Sequence, residues 1–129
     1  MFIHIDPSNG MAIYDQVVRQ IKFAVARGLL KAGDYVPSVR ELARELAINP
    51  NTVARAYQQL QADGVLEAVR GMGLAVTSGA TKHCRDQRRK LVGARLRQAL
   101  AEAKQAGLDG EELRRLVEQQ LKILLKEKG

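Results

Sequence analysis

The stretch VPSVRELARELAINPNTV, residues 36–53, predicts two short helices joined by a sharp turn. Ser38 and Glu41 have the spacing of a capping box, in which each side chain satisfies a free backbone amide of the other residue, so a helix begins here. It stops before Pro50, which cannot continue a helix, and Asn49 is disfavoured in the α conformation because it precedes proline. Asn49 and Pro50 also suit the start of a new helix, so the stretch is typical of a helix-turn-helix.

Helical periodicity extends on either side of this stretch. A first helix is predicted from Met11 to about Arg27, the second is expected to run through Ala47, and the third is expected to end at Asp63 because Gly64 follows. The positions expected to form or flank the apolar faces are Ile13, Tyr14, Val17, Val18, Ile21, Ala24 and Val25 in the first helix, Val39, Leu42, Ala43 and Leu46 in the second, and Val53, Ala56, Tyr57 and Leu60 in the third.

A β-hairpin follows the three helices. Val65–Val69 and Leu74–Thr77 are β-type runs, and the turn Arg70–Gly73 between them contains two glycines. A helix, a helix-turn-helix and a hairpin in this order make a winged helix-turn-helix DNA-binding domain, which is assigned to residues 1–78. The natural linker is Ser78–Thr81.

The remaining residues, 79–129, are predicted to form a two-helix dimerisation domain. Apolar residues recur at helical spacing up to Gly107, and a capping box of Asp109 and Glu112 begins a second helix. The predicted fold class is therefore mainly α with a small β-hairpin: a winged helix-turn-helix domain followed by a two-helix antiparallel dimerisation tail.

The charge balance favours an anionic partner, nucleic acid foremost. The 129 residues include 21 Lys and Arg against 14 Asp and Glu, a net charge of +7. Residues 82–97 hold seven cations and one acid, Asp86. This run is either a strip along flanking phosphates or a solvated helix face, and the sequence leaves both open.

Several classes of protein are disfavoured. Cys84 is the single cysteine and His4 and His83 lie far apart, so neither a disulfide framework nor a structural zinc site is expected. No catalytic motif is found, so no enzyme activity, catalytic residue, metal ligand or cofactor is expected.

No apolar run approaches the roughly 20 residues of a membrane span, and the N-terminus does not resemble a secretory signal, so a cytoplasmic location is expected. Basic neighbours would lower the pKa of the Cys84 thiol, but a bystander role is favoured over a redox switch.

The start of the third helix carries the residues expected to read DNA. In a helix-turn-helix the second helix enters the major groove amino end first, which leaves Asn49, Asn51, Thr52 and Arg55 as the free polar positions. Asn pairs with adenine, Thr contacts a base edge or a thymine methyl, and Arg55 reaches a phosphate or a guanine. The first amides of the helix are expected to donate to phosphate. Capping is the alternative role for the two asparagines and Thr52.

Two further arginines are expected at the DNA. Arg40 occupies the second position of its helix, where the helix dipole favours an acid, so a phosphate contact explains it better than helix stability does. Arg70 at the tip of the hairpin suits a minor groove, and Gly71 and Gly73 would let the backbone approach phosphates, although turn geometry alone also explains them. Ser38, two residues before Arg40, is also expected to contact DNA.

The tail helices carry more apolar surface than a helical hairpin can cover, which predicts a homodimer that reads a palindrome. The alternative is a tail packed only on its own winged helix. The residues expected at the dimer interface are Leu96, Leu100, Leu113, Leu116, Val117, Leu121 and Leu124.

From Gly33 to Thr77 the chain resembles the GntR family of transcriptional regulators. The shared features are a Pro-Ser-x-Arg-x-Leu-Ala segment (with Val36 where the family has Leu), a Thr-Val pair at 52–53, a Leu-x-x-x-Gly helix end at 60–64 and Gly-x-Gly at 71–73. The segments at 49–53 and 55–57 are most similar to the YtrA-like subfamily, whose short two-helix tail serves dimerisation.

The resemblance implies a regulator, usually a repressor, of double-stranded DNA operators, contacted through Arg40, the start of the third helix, and the wing residues Arg70 and Gly71. Many members have an Arg where this chain has Pro50, so base reading shifts to Asn49, Asn51, Thr52 or Arg55. Two other functions stay open: a sensor whose tail helices bind a small effector or a metal, and a protein-interaction adaptor. The effector, if any, is unknown.

Overall fold

Five helices and two strands make up the part of the chain that the computed structural model describes, residues 3–127. They are α1 (Ile13–Ala26), α2 (Val39–Leu46), α3 (Pro50–Ala62), β1 (Leu66–Val69), β2 (Gly73–Val76), α4 (Ala80–Gln105) and α5 (Gly110–Glu127). The chain divides into two compact units, one up to residue 89 and one from residue 90.

The core of the first unit is aliphatic and follows the predicted helical faces. α3 packs against both α1 and α2. The side chains with no exposed surface include Val17, Ile21, Leu42, Val53 and Leu60. Burying a side chain of this size contributes about 1.5–3 kcal/mol. Of the positions expected to form or flank these faces, four are only half-buried: Ile13, Tyr14, Val39 and Leu46.

The second helix ends one residue before the expected position. Ala47 is the C-cap of α2 and adopts a left-handed conformation with φ +56°. The N–H of Ile48 then donates to the carbonyl of Ala43 (3.0 Å), which closes the helix end. The reversal of the chain therefore starts at Ala47, before the proline that was expected to impose it.

The hairpin is antiparallel, with Leu66 opposite Val76 and Val69 opposite Gly73. The turn is therefore one residue shorter than predicted, because Gly73 pairs as a strand residue. The segment before α2 pairs with the other edge of β2. The Val36 N–H donates to the Leu74 carbonyl (3.0 Å), and the Val76 N–H donates to the Asp34 carbonyl (2.8 Å). This pairing ties the wing to the helix-turn-helix.

Of the expected linker Ser78–Thr81, only Ser78 and Gly79 form a turn, whereas Ala80 and Thr81 already belong to α4. Ala80 and Cys84 are buried in the core of the first unit. The Nε of Arg85 donates to the carbonyl of Ala26 (2.9 Å) at the end of α1. These contacts hold the first turns of α4 in the first unit, and the division between the two units falls within α4, after residue 89.

The second unit contains the rest of α4 and α5. Gly107, in the loop that follows α4, has φ +97°. The predicted capping box at the start of α5 is present: Glu112 N–H donates to Asp109 Oδ1 (2.9 Å), and Asp109 N–H donates to Glu112 Oε1 (3.4 Å). Leu100 and Leu113 line a common groove, so the start of α5 lies beside α4. α5 has no buried residue among those described. No helix within residues 3–127 is long and apolar enough to cross a membrane.

Candidate nucleic-acid interface

The amino end of α3 is closed by its own cap. Pro50 has no N–H, and the Asn51 N–H donates to the side-chain oxygen of Asn49 (2.8 Å). The N–H groups of Thr52 and Val53 donate to the Asn49 carbonyl (3.0 and 3.4 Å). The amides that were expected to donate to phosphate thus have acceptors within the cap in this structure. Of the two roles open for Asn49, capping is the one observed.

The side chains of the first two turns of α3 remain available. Asn51 and Arg55 are exposed and Thr52 is half-buried. Within residues 3–127, neither the Asn51 nor the Thr52 side chain forms a hydrogen bond, so neither acts as a cap. Asn51 and Arg55 are four residues apart and therefore lie on one helix face. This face is opposite the buried stripe of Val53, Ala56, Tyr57 and Leu60.

One buried hydroxyl links α3 to the segment that enters α2. Tyr57 is buried, and its hydroxyl donates to the Pro37 carbonyl (2.7 Å). Burial raises the pKa of Tyr57, and the negative charges of Glu41 and Glu45 raise it further. The hydroxyl therefore stays protonated as a donor throughout the physiological range. This bond helps to fix the two helices of the motif relative to each other.

The capping box at the start of α2 is formed as predicted. Glu41 N–H donates to Ser38 Oγ (3.1 Å) and Ser38 N–H donates to Glu41 Oε1 (3.0 Å). The hydrogen bond from the Ser38 N–H to the carboxylate, and then the interaction with the Ser38 side chain, lower the pKa of Glu41. Arg40, the second residue of α2, is exposed, and no carboxylate within residues 3–127 forms an ion pair with it. Its charge is therefore open to an external anion.

The wing tip carries two exposed side chains, those of Arg70 and Met72, on a tight turn. Met72 N–H donates to the Val69 carbonyl (2.9 Å), and Gly71 has φ +76°, a conformation that favours glycine. Gly73 has φ +120°, and a Cβ there would lie 4.0 Å from the Tyr35 ring. Backbone geometry thus explains both glycines. It does not explain Arg70, which is exposed.

The sequence analysis treated Tyr14 as part of the apolar face of the first helix. In the structure the Tyr14 ring is half-buried and the guanidinium of Arg55 lies over it, with Cζ 3.7 Å from the ring centroid. No sequence signal could pair these residues, because they belong to different helices.

Comparison with known proteins identifies the family. Residues 13–76 match the model of the gntR family of bacterial regulatory proteins. The HTH-type transcriptional repressor YtrA of Bacillus subtilis is 37% identical over 111 residues, which cover 86% of this chain and 85% of YtrA. This chain belongs to the GntR family. The predicted resemblance to the family and to its YtrA-like members is confirmed.

Solved structures confirm the mainly α winged-helix fold of this GntR-family chain. A transcriptional regulator from Oenococcus oeni is 36% identical, with a TM-score of 0.77 over 93% of this chain and 99% of its own. The DNA-binding domain of AraR, solved in complex with operator ORX1, is 23% identical, with a TM-score of 0.51 over 60% of this chain and 93% of its own. At that identity the likeness extends to the fold alone.

Membership of the GntR family makes the chain a DNA-binding transcriptional regulator and not an enzyme. Within residues 3–127, no group of three or more His, Cys, Asp or Glu side chains could hold a metal ion. Cys84 is buried, and burial raises the pKa of its thiol. The expectation that basic neighbours lower this pKa is therefore wrong, since desolvation of the thiolate outweighs the nearby charge of Lys22.

The basic run of this regulator begins at the other end of α3 from Asn51. Arg85 of α4 donates to the Ala26 carbonyl at the end of α1, and Lys22 of α1 pairs with Asp63, the C-cap of α3, so the first turns of α4 lie near the carboxyl end of α3. A helix of 13 residues is about 20 Å long. The first turns of α4, which carry Lys82 and Arg85, therefore lie nearer to that end of α3 than to the end that carries Asn51.

Proposed function

We propose that the protein is a homodimeric, cytoplasmic repressor that binds a palindromic operator in double-stranded DNA. Each subunit would place α3 in a major groove and the wing against the adjacent minor groove. The observation that carries this proposal is that a buried stripe anchors α3, while the exposed side chains of Asn51 and Arg55 extend from its amino half. No carboxylate within residues 3–127 forms an ion pair with Arg55.

Each residue of the interface takes a role that its chemistry allows. Asn51 would pair with adenine, since its amide group is uncommitted, and Thr52 would contact a neighbouring base. Asn49 serves mainly as the cap, because its side-chain oxygen already accepts from Asn51 N–H. Arg55 would bind a phosphate or a guanine. AraR, which shares the fold, has been solved with its DNA-binding domain on an operator, and this favours the same use of the fold here.

The remaining contacts would be made to the DNA backbone and the minor groove. Arg40 would bind a phosphate beside the start of α2, where Ser38 caps the helix and would lie next to the same phosphate. Arg70 would enter the minor groove, whose negative potential attracts arginine. Because Gly71 and Gly73 have no side chains, the wing tip would be narrow enough to approach the DNA strands.

A second copy of the chain would cover the tail. Leu96, Leu116, Leu121, Leu124 and Leu125 are 42–70% exposed, and Leu100, Leu113 and Val117 line a groove with their half-buried side chains. Contiguous apolar surface of this kind marks an interaction site. The YtrA repressor of Bacillus subtilis aligns over 86% of this chain, which takes the similarity past the winged helix into the tail.

Binding to selected DNA tests the proposal. A duplex selected by the full-length protein from a randomised pool and a scrambled duplex of the same length are titrated with each variant. Asn51→Ala is expected to weaken binding to the selected duplex by about 5–150-fold for each half-site while changing binding to the scrambled duplex little, since a bidentate contact between a side chain and a base gives about 1–3 kcal/mol of discrimination.

Arg40→Ala is expected to weaken binding to both duplexes alike and to reduce the slope of log affinity against log salt by about 0.9 for each subunit of the dimer. Arg27→Ala, which removes the same charge from an exposed position at the end of α1, is the matched control and should leave both values nearly unchanged. Equal losses on the two duplexes for Asn51→Ala would contradict the base contact, and failure of the wild-type protein to enrich any duplex would contradict sequence-specific binding.

A further inference from the structure

Tyr14 and Arg55 are 41 residues apart in sequence, and their side chains meet between α1 and α3. The Arg55 Cζ lies 3.7 Å from the centroid of the Tyr14 ring, so the guanidinium rests against the ring face. The electron-rich face of an aromatic ring attracts a cation at this distance. Arg55 is exposed, so burial of its own side chain does not account for the contact.

The contact lies in the half of α3 that carries Asn51. Lys22 and Asp63 also join α1 to α3 and are also 41 residues apart, so the two helices run side by side in the same direction. Arg55 follows Asn51 by one helical turn on the same face. Tyr14 therefore reaches the expected DNA-reading end of α3 from a helix outside the helix-turn-helix.

Stacking leaves the binding groups of Arg55 available. Its N–H groups lie in the guanidinium plane and point outward from the edge of that plane, while one face rests on the ring. No carboxylate within residues 3–127 forms an ion pair with Arg55. A free arginine side chain loses rotamer freedom when it binds DNA, whereas one already held by a ring has less freedom to lose.

We propose that Tyr14 is a positioning residue for DNA recognition: its ring holds the Arg55 guanidinium, before DNA binds, in the orientation that contacts the operator. This inference rests on the proposed function, because it concerns the same end of α3. Tyr14 acts through Arg55 and need not touch the DNA itself.

A double-mutant cycle in the full-length protein tests the inference. Dissociation constants for the selected duplex are measured by fluorescence anisotropy for the wild type, Tyr14→Leu, Tyr14→Phe, Arg55→Gln and the Tyr14→Leu/Arg55→Gln double variant. Tyr14→Leu is expected to weaken binding about three- to fivefold, and Tyr14→Phe, which keeps the ring face, to stay within about twofold of wild type. In the Arg55→Gln background, Tyr14→Leu should change affinity by less than about twofold.

Tyr14 packs against the core, so the unfolding midpoint in urea is measured for every variant. If Tyr14→Leu unfolds the protein, Arg55→Lys supplies the test, because it leaves the core intact and keeps the charge but lacks the planar face. Arg55→Lys is expected to lose about as much affinity as Tyr14→Leu would, and affinity equal to wild type would overturn the proposal.

Equal losses from Tyr14→Leu in the two Arg55 backgrounds would assign Tyr14 a purely structural role and overturn the inference. So would unchanged affinity in Tyr14→Leu, or a loss in Tyr14→Phe as large as in Tyr14→Leu. If the wild-type protein enriches no duplex, the proposed function itself fails, and that result precedes the comparison of variants.

Discussion

Two buried side chains join segments that are distant in sequence. Gln16 is almost fully buried. Its side-chain amide accepts from the Asp6 N–H (2.9 Å) and donates to the Asp6 carbonyl (2.8 Å), so it holds the segment before α1 by both backbone groups of one residue. Tyr57 fills the core with its ring and donates its hydroxyl to the Pro37 carbonyl. A buried carbonyl that loses its donor keeps the full cost of desolvation, so such single atoms matter to stability.

Tyr57→Phe is expected to lower the free energy of unfolding by about 1–2 kcal/mol, because the Pro37 carbonyl loses its donor while the ring packing is retained. Urea denaturation followed by circular dichroism measures this change. Tyr35→Phe, in a side chain that is 43% exposed, is the matched control and should change stability by less than about 0.5 kcal/mol. A Tyr57→Phe protein as stable as wild type would show that water replaces the hydroxyl.

At the scale of elements, helix ends and helix pairs determine the motif. α2 ends in a left-handed alanine, and α3 starts with a cap and a proline, so the turn of the helix-turn-helix is built from two helix ends in direct succession. α1 holds α3 from the other side through Tyr14 and Lys22. These contacts set the direction in which the amino end of α3 points.

Ala47→Gly is expected to stabilise the protein by about 0.5–1 kcal/mol. A left-handed conformation costs a residue with a Cβ about 1–2 kcal/mol, and the greater freedom of glycine in the unfolded chain offsets part of that gain. Thermal and urea unfolding both measure the effect. Ala94→Gly is the control, because Ala94 is an exposed residue in the middle of α4, where glycine is unfavourable. It should lower the free energy of unfolding by up to about 1 kcal/mol. Destabilisation by Ala47→Gly would contradict the left-handed cap.

The ion pair between α1 and α3 predicts a pH dependence. Lys22 Nζ lies 2.7 Å from Asp63 Oδ2. Burial raises the pKa of Asp63, but the hydrogen bonds from Lys22 and Gln59 outweigh it, so the pKa is lowered overall. A carboxylate with a lowered pKa in the folded state contributes stability above its unfolded pKa, near 4, and this stability is lost as the pH falls through the folded value.

Asp63→Asn is therefore expected to lower the free energy of unfolding by about 0.5–1 kcal/mol at pH 7. Below about pH 4 the difference in unfolding free energy between the variant and the wild type should become smaller. Urea unfolding at a series of pH values from 7 to about 3 measures the difference. Lys22→Gln removes the other partner and should show the same narrowing. A difference from wild type that is constant across this range would contradict a contribution from the ionised pair.

At the scale of the whole molecule, the two units differ in how they are stabilised. The first unit has a continuous core that extends from α1 through the first turns of α4. The second unit has leucines along α4 and α5 but no buried residue in α5 among those described. An apolar helix face without cover is the physical reason to expect a partner subunit.

The double substitution Leu121→Glu/Leu124→Glu is expected to convert the proposed dimer to a monomer, because four charges would have to be buried in each symmetric interface. Sedimentation velocity measures the oligomeric state, and the affinity for the selected duplex should fall by at least about tenfold as one half-site is lost. Leu29→Glu, in a leucine of the first unit that is 49% exposed, is the matched control and should stay dimeric. A double variant that still sediments as a dimer would contradict the proposed interface.

Local features determined the parts of the fold that the sequence predicted well. Ser38, Glu41, Asn49 and Pro50 act within four residues of their partners, so the helix starts can be read without knowing the fold. Apolar periodicity likewise identified the faces of α1 and α3, and the paired glycines identified the wing. The family resemblance rests on the same short-range features.

Only tertiary structure decided the contacts between distant segments. The stacking of Arg55 on Tyr14, the bond from Tyr57 to Pro37 and the bond from Arg85 to Ala26 join residues 41, 20 and 59 positions apart. Their partners depend on how the helices pack, which no local pattern encodes. The same packing buries Cys84 and raises the pKa of its thiol, although its neighbours in sequence are cations.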